Sequence, residues 1–441
     1  MLDLEIVPER SLGCDAWEFV LGMHFSQAVS IIQSQVGTIR GVQVLYSDQN
    51  PLSVDLVINM PQDGIRLIFD PVAQRLKIIE IYNMKLVKLR YSGMCFNSPE
   101  ITPSIEQVEH CFGATHPGLY DSQRHLFALN FRGLSFYFPV DSKFEPGYAH
   151  GLGSLQFPNG GSPVVSRTTI YYGSQHQLTR SASGGRCSAP LADLPLSCYR
   201  HQLHLRRCDV LRSPTATLGL RLHIYTEERG GPVSALTPLA AGARAGSPAA
   251  RRRVVRFGDS CQAVSRALAA PARLYYKADD KMRIHRPTAR RRPPPASDYF
   301  FNYFTLGLDV LFDARTHQVK KFVLHTNYPG HYNFNMYHRC EFELNVQPDK
   351  CESNALVESL GAVSITAYSK WESVSRALRV CERPVVLNRA SSTNTTNPFG
   401  STFCYGYQDM IFEVMSNNYI ASITLYQPEG TRPHYAVSSI A

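Results

Sequence analysis

The sequence predicts an α+β fold of about four repeated units. Each is a short amphipathic helix laid on antiparallel strands, and a partly disordered insertion interrupts the series. Three observations predict it. The chain has 441 residues, well beyond the ~150 that serve as a prior for one domain. Hydrophobic residues make up 44% and charged residues 18%, the balance of a chain that can bury a core. One block also recurs in fixed order: a capped helix, a turn with Gly or Pro, an aromatic strand, then a strand carrying Gly, an apolar run and Phe. With 23 Tyr and 22 Phe against 2 Trp, ring-bearing strands are expected.

The first unit is assigned to residues 1–92. Leu21 and Gly22 precede a helix in QAVSIIQSQ that Ser26 should cap, and the strand VQVLYS follows. Gly64 then opens GIRLIFDPVAQRLKIIEIYN, with Phe69 and Asp70 before a short loop. A second, degenerate unit over 93–143 has its helix in PSIEQVEHCFGATHPG and its strands in HLFALNFRGLSFYFP, with Val108, Gly113, Gly133 and Phe138 in the corresponding places. Residues 144–228 are an additional strand-rich segment containing SLQFP and TTIYYG, and 229–253 read as a low-complexity linker rich in Gly, Ala and Pro.

The third unit, 254–345, is the clearest. After Phe257 and Gly258, Asp259 or Ser260 caps a helix on which Val264 and Leu268 share a face, and Pro271 stops it. RLYYK follows, then a basic insertion at 286–296. Next comes YFFNYFTLGLDVLFDARTHQVKKFVLHTN, where Leu306, Leu308 and Val310 alternate as a strand, Gly307, Phe312 and Asp313 recur, and DARTHQ marks a hairpin turn. A variable linker at 346–367 leads to the fourth unit, 368–430. Its helix lies in SKWESVSRAL, with Ser369, Val374 and Leu378; its strands lie in PVVL and CYGYQDMIFEVMSNNYIASITLY, with Gly406 and Phe412. Residues 431–441 form a tail. This grammar resembles the helix-then-three-strands repeat of the β-lactamase inhibitor protein and the BamE-like lipoproteins, which are binding modules.

Charge is regional. Residues 243–296 hold 12 Arg and 2 Lys against 3 Asp and no Glu, a local balance of +11, so the rest of the chain sums to −2 within the net charge of +9. Its ends, ARAGSPAARRRVVRF and RIHRPTARRRPPPA, read as mobile basic arms. Arg251, Arg252, Arg253, Arg290, Arg291 and Arg292 are the candidate contacts to anionic lipid; no nucleic-acid partner is expected. No window approaches ~18 consecutive apolar residues. MLDLEIVPER carries Asp3 and Glu5 where a secretory leader would be basic, so a cytoplasmic protein is expected. The 11 cysteines form no C-x-x-C pair, which suits buried thiols in a reducing compartment.

Catalytic signatures are missing. The Walker loop, GxGxxG after a strand, HExxH and GxSxG are all absent. Cys198, His201, His204 and Cys208 supply a zinc-like ligand set, yet their spacing leaves no room for a finger loop. His325, His331 and His338 near Cys340 could pair a nucleophile with a base, but no signature selects the base. No catalytic, metal or cofactor-binding residue is assigned, and a non-enzymatic protein is expected. The same stretch is dense in rings and amides. Tyr328, Tyr332, Asn333, Phe334, Asn335 and Tyr337 are therefore the candidate partner interface, on a bend expected at Pro329 and Gly330.

The strings MLDLEIVPERSLG, FGATHPGLY, LNFRGLSFYF, FGDSCQAV, DYFFNYFTLG, HTNYPGHYNFN, YHRCEFEL and NPFGSTFCYG resemble the phagosome assembly factor 1 family nearly end to end. The resemblance implies a non-enzymatic regulator of autophagy that pairs with a WD40 β-propeller protein. It also implies association with phosphoinositides and recruitment from the cytoplasm to the phagophore, the preautophagosomal structure. It implies no cofactor and carries over no catalytic residue.

Overall fold

The computed structural model describes residues 1–113, 118–121, 124–139, 163–173, 203–213, 216–226, 251–277, 297–348, 361–388 and 399–427. Outside them fall the basic insertion with Arg290 to Arg292, most of the linker at 229–253, the core of the linker at 346–367, the tail, and Cys198 and His201. The chain divides into two compact units, residues 1–200 with 228–247, and residues 201–227 with 248–441.

Unit 1 runs β1 (Leu2–Val7), β2 (Ser11–Cys14), β3 (Trp17–Val20), α1 (Phe25–Ser34), β4 (Gln43–Leu45), β5 (Leu56–Met60), β6 (Ile65–Phe69), β7 (Leu76–Ile81), β8 (Val87–Tyr91) and β9 (Met94–Asn97). It continues with α2 (Ile105–Phe112), β10 (Leu119–Asp121), β11 (Leu126–Phe131), β12 (Leu134–Pro139) and β13 (Arg167–Tyr171). A five-stranded sheet has the order β3-β2-β1-β8-β9, and an eight-stranded sheet the order β10-β11-β12-β13-β7-β6-β5-β4.

Unit 2 repeats this order. It runs β14 (Leu203–Arg212), β15 (Thr217–Thr226), β16 (Arg251–Arg256), α3 (Cys261–Leu268), β17 (Arg273–Tyr276), β18 (Tyr299–Tyr303), β19 (Leu308–Phe312), β20 (Val319–His325), β21 (Phe342–Val346) and β22 (Val363–Thr366). Then come α4 (Trp371–Leu378), β23 (Val385–Leu387), β24 (Thr402–Tyr407), β25 (Met410–Val414) and β26 (Ile420–Tyr426). Its sheets are β16-β15-β14-β21-β22 and β17-β18-β19-β20-β26-β25-β24-β23. Each eight-stranded sheet is thus two four-stranded meanders joined at their last strands, β7 to β13 and β20 to β26, both antiparallel. A helix precedes each meander. The β1–β8 and β14–β21 pairs are parallel; all the other pairs are antiparallel, among the described residues.

The fold class is therefore α+β with mostly antiparallel sheets, and the helix-then-strands order occurs four times. Strand alternation decides which side is core. Val310, Phe312, Phe322, Leu324, Phe412, Ile423 and Leu425 from the large sheet join Cys208, Leu220, Leu222 and Val255 from the small one, with Val264, Leu268, Trp371, Val374 and Leu378 from the helices, in a single cluster. Each such apolar side chain contributes about 1.5–3 kcal/mol by leaving water.

Several local readings shift. The cap of α1 is His24, not Ser26, because His24 Nδ1 accepts the Ser26 N–H at 3.2 Å while Gln27 closes a capping box on the His24 amide at 2.7 Å. Ser260 does cap α3, accepting the Ala263 N–H at 3.2 Å. In α4 Lys370 holds the N-cap position. Phe69, Phe138 and Phe312 occupy one position, the fifth of their strands, all fully buried. Val414 holds that place in β25, so Phe412 sits two positions early; Gly406 lies inside β24, and the left-handed turn residue is Gln408 at φ 50°. Leu306 belongs to a 3-10 turn ahead of β19. Among the described residues, no helix is long and apolar enough to cross a membrane.

Candidate functional site

The two units differ in length where the large sheet passes to the small one. In unit 1, residues 82–86 join β7 to β8; in unit 2, residues 326–341 join β20 to β21. This longer connection contains all six residues expected to face a partner. It meets the polar side of the large sheet, where His325, Ser422 and Glu413 stand in one cross-strand row and Asn302 pairs with Asp309. All five are buried.

Two carboxylates hold the connection down. Asp309 accepts the Tyr337 hydroxyl at 3.0 and 2.9 Å and the Asn302 amide at 2.7 Å, with His325 Nε2 at 2.9 Å from its Oδ2. The Tyr337 ring stacks on His325 at 3.9 Å. Burial, with Asp309 beside it, pushes the Tyr337 phenol up, so it stays a donor. Glu413 accepts the Thr402 and Ser422 hydroxyls at 2.9 and 2.8 Å and lies 3.3 Å from His331 Nε2. Tyr328 is fully buried; its hydroxyl donates to the Ala367 carbonyl at 2.9 Å, and the Arg339 guanidinium lies over its ring at 4.9 Å. Arg339 Nε donates to the Thr326 carbonyl at 2.9 Å, closing the base of the connection.

Burial removes Tyr328 and Tyr337 from any partner surface. Their rings fill space while each hydroxyl is satisfied inside, which is how tyrosine enters a core. The outward part is narrower: Tyr332 is 39% and Met336 44% exposed, with Asn333, Phe334 and Asn335 half-buried between them. Asn333 Nδ2 donates to the Tyr332 hydroxyl at 2.8 Å, and Asn327 accepts the Asn335 amide at 3.0 Å across the bend.

The nucleophile reading fails on the same ground. Cys340 is fully buried beside Cys208, and burial pushes its thiol well above the ordinary value, so the thiolate that attack requires is suppressed. His204 and Cys208, the described half of the zinc-like set, are both buried in β14, with His204 against Tyr225 and His338. Among the described residues, no group of three His, Cys, Asp or Glu side chains could hold a metal ion. Arg251, Arg252 and Arg253 do not form a mobile arm. They are exposed residues of β16, paired with Ile224, His223 and Leu222, and charged side chains on such an edge strand block further pairing.

Asp309 and Glu413 escaped sequence reasoning. The signal was a lone carboxylate in each of two apolar strands, LDVLF and MIFEV.

The model of the family described as phagosome assembly factor 1 matches residues 15–426. The chain belongs to this family. It is 61% identical over 438 residues to the PHAF1 protein CG7083 of Drosophila melanogaster, covering 97% of this chain and 94% of that one. It is 34% identical over 435 residues to the PHAF1 protein T01G9.2 of Caenorhabditis elegans, covering 96% and 93%. It is 35% identical over 419 residues to the PHAF1 protein At3g51130 of Arabidopsis thaliana, covering 94% and 92%. No solved structure matches.

Proposed function

We propose that this chain is a non-enzymatic subunit of an autophagy complex. In this reading it pairs with a WD40 β-propeller protein and reaches phosphoinositide-containing phagophore membranes from the cytoplasm mainly through that partner. Family membership carries the reading, since the family is described by phagosome assembly. The site supports it in a second way: Asp309 and Glu413 are saturated by internal donors, while Tyr332 and Met336 face outward. Anchored aromatic shelves of this kind suit protein contacts. The four helix-then-strands repeats support the further likeness to the β-lactamase inhibitor and BamE-like binding modules.

Pull-down of the propeller protein from cell extract by purified chain tests this. Tyr332→Ala with Phe334→Ala should weaken capture by roughly 2 kcal/mol or more with the melting temperature unchanged. Capture equal to wild type would sink the assignment of the shelf.

The exposed Arg251 to Arg253 row favours a second reading, direct binding to anionic lipid. Each exposed Arg near such a surface contributes ~1 kcal/mol, screened within ~8 Å at physiological salt. Tight flotation of the isolated chain on phosphoinositide vesicles at ~0.15 M salt, lost when Arg251, Arg252, Arg253, Arg290, Arg291 and Arg292 become Ser, would establish it.

A further inference from the structure

We propose that β4 is a self-pairing edge through which two copies of this chain associate, joining their large sheets of unit 1 antiparallel across a two-fold axis at Val44.

Among the described residues β4 pairs only with β5 and ends its sheet. All three of its residues are exposed, and Val44 at 42%, Leu45 at 47% and the adjoining Tyr46 at 41% keep large apolar side chains in water. From Gly41 to Ser47 the sequence GVQVLYS has no charged residue and no proline, the devices that ordinarily protect such an edge. The strand is short because Gly41 takes φ 65° before it and a bend begins at Asp48 after it. A partner strand therefore finds a brief, defined length of open backbone.

The occupant follows from register. Residues paired across antiparallel strands exchange both backbone bonds or neither, so a two-fold between identical strands passes through a residue and not between two. In β4 only Val44 as centre pairs the whole strand, Val44 with its own copy and Gln43 with Leu45. Val44 lies opposite Ile58, a core residue, so Val42, Val44 and Tyr46 share the core side. There the same axis sets each Val42 against the other copy's Tyr46. Such β-branched and aromatic pairs are favourable cross-strand neighbours. Arg40 and Asp48 stand four residues to either side of Val44, so unlike signs approach at both ends.

The other three edges of the large sheets fail the same test. β17 centred on Tyr275 sets Arg273 against Lys277, and centred on Leu274 it runs into Pro271. β10 centred on Tyr120 sets Leu119 against Asp121. β23 centred on Val386 brings in Pro384, which has no N–H to give. Pairing at β4 uses the edge of both copies, so the assembly closes as a dimer. With one short strand from each copy, the contact lies at the small end of the interface range, and a micromolar dimer is expected.

Sedimentation equilibrium of the full chain tests the proposal, and a monomer–dimer equilibrium should appear in the micromolar range. Val44→Lys puts two like charges at the axis and should weaken the dimer at least tenfold at unchanged melting temperature, whereas Val386→Lys on the β23 edge should leave it as it was. Register is read by single substitutions in a Cys381→Ser background, since only the central residue meets its own copy. Val44→Cys should cross-link to a dimer under mild oxidation with copper–phenanthroline, and Leu45→Cys should cross-link only when mixed with Gln43→Cys. If Val44→Lys lowers the melting temperature, the cross-links decide. A chain that stays monomeric at ~100 µM, a dimer indifferent to Val44→Lys, or cross-linking of Leu45→Cys alone equal to that of Val44→Cys would overturn the proposal.

Discussion

Ser260, the N-cap of α3, faces Gln318 across an isolated antiparallel bridge, and the same bridge joins His24 to Arg75, Ser104 to Val164 and Lys370 to Tyr419. In all four helix-then-strands units the N-cap of the helix is thereby pinned just ahead of the last strand of its meander. In the first and third, Gly22 N–H donates to the Leu76 carbonyl at 2.7 Å and Gly258 N–H to the Val319 carbonyl at 3.1 Å. The helix start and the sheet centre are thus one clasp, so losses at the cap should be felt by the whole unit.

Three of the four caps accept a backbone N–H through their side chains; Lys370 makes no such bond. Ser260→Ala and Ser104→Ala should each cost about 1 kcal/mol, and Lys370→Ser should gain up to ~1 kcal/mol. Urea unfolding followed by tryptophan fluorescence reads this by unit, because Trp17 reports unit 1 and Trp371 unit 2. An effect of Ser260→Ala on the Trp17 transition alone would contradict the clasp.

Gly307 packs closely against the 326–341 connection. At φ +64 an added Cβ would lie 2.4 Å from the His338 carbonyl and 2.7 Å from Cys340 N. Gly258 has a similar φ of +82 but open space around it. Both Ala variants should pay about 1–2 kcal/mol for the backbone, and Gly307→Ala should lose clearly more, in the Trp371 transition. Equal losses at the two positions would show that the connection yields.

Asp313 tests the turn that Asp70 repeats in unit 1. Its Oδ1 accepts the Thr316 and Arg315 amides at 2.9 Å each, as Asp70 Oδ1 accepts those of Val72 and Ala73 at 2.9 and 2.8 Å. The Thr316 and Arg315 amides, with Lys320, hold the Asp313 carboxyl below the usual carboxylate range. A carboxyl depressed in the folded state stabilises above its unfolded pKa of ~3.9 and loses that contribution as pH falls toward the folded value. Asp313→Ala should therefore cost about 1 kcal/mol at neutral pH, with the difference from wild type shrinking below about pH 4. A gap independent of pH would place the effect in the backbone.

Particular residues show what could be read beforehand. The Val264 and Leu268 stripe, the Ser260 cap and the buried Phe69, Phe138 and Phe312 all follow from local rules of period and turn, and all stand in the structure. The capping of α1 by His24 escaped because Ser26 is the commoner cap chemistry two residues on. Burial of Tyr328 and Tyr337 was illegible for a longer-range reason: the same ring and hydroxyl serve a surface or a core, and only the distant partners Ala367 and Asp309 decide. Likewise, nothing in residues 326–341 alone reveals that they expand the 82–86 connection. That became visible once β20 and β21 were matched to β7 and β8 through the sheet orders.

The connection should be held chiefly by Asp309 and Tyr337. Asp309 gathers donors from β18, β20 and the connection itself, at Asn302, His325 and Tyr337, and a buried carboxylate loses most when a donor is removed without replacement. Tyr337→Phe keeps the ring on His325 but removes one donor, and should cost roughly 1.5–3 kcal/mol. Asp309→Asn should cost a similar amount, and the double variant less than the sum by ~1 kcal/mol or more, because both changes break the same bond. Tyr332→Ala, exposed on the same connection, should stay within ~0.5 kcal/mol of wild type. If Tyr337→Phe and Asp309→Asn prove additive, the hydroxyl and the carboxylate act separately. The hold on the connection then passes to Glu413 with His331 and to Tyr328 under Arg339.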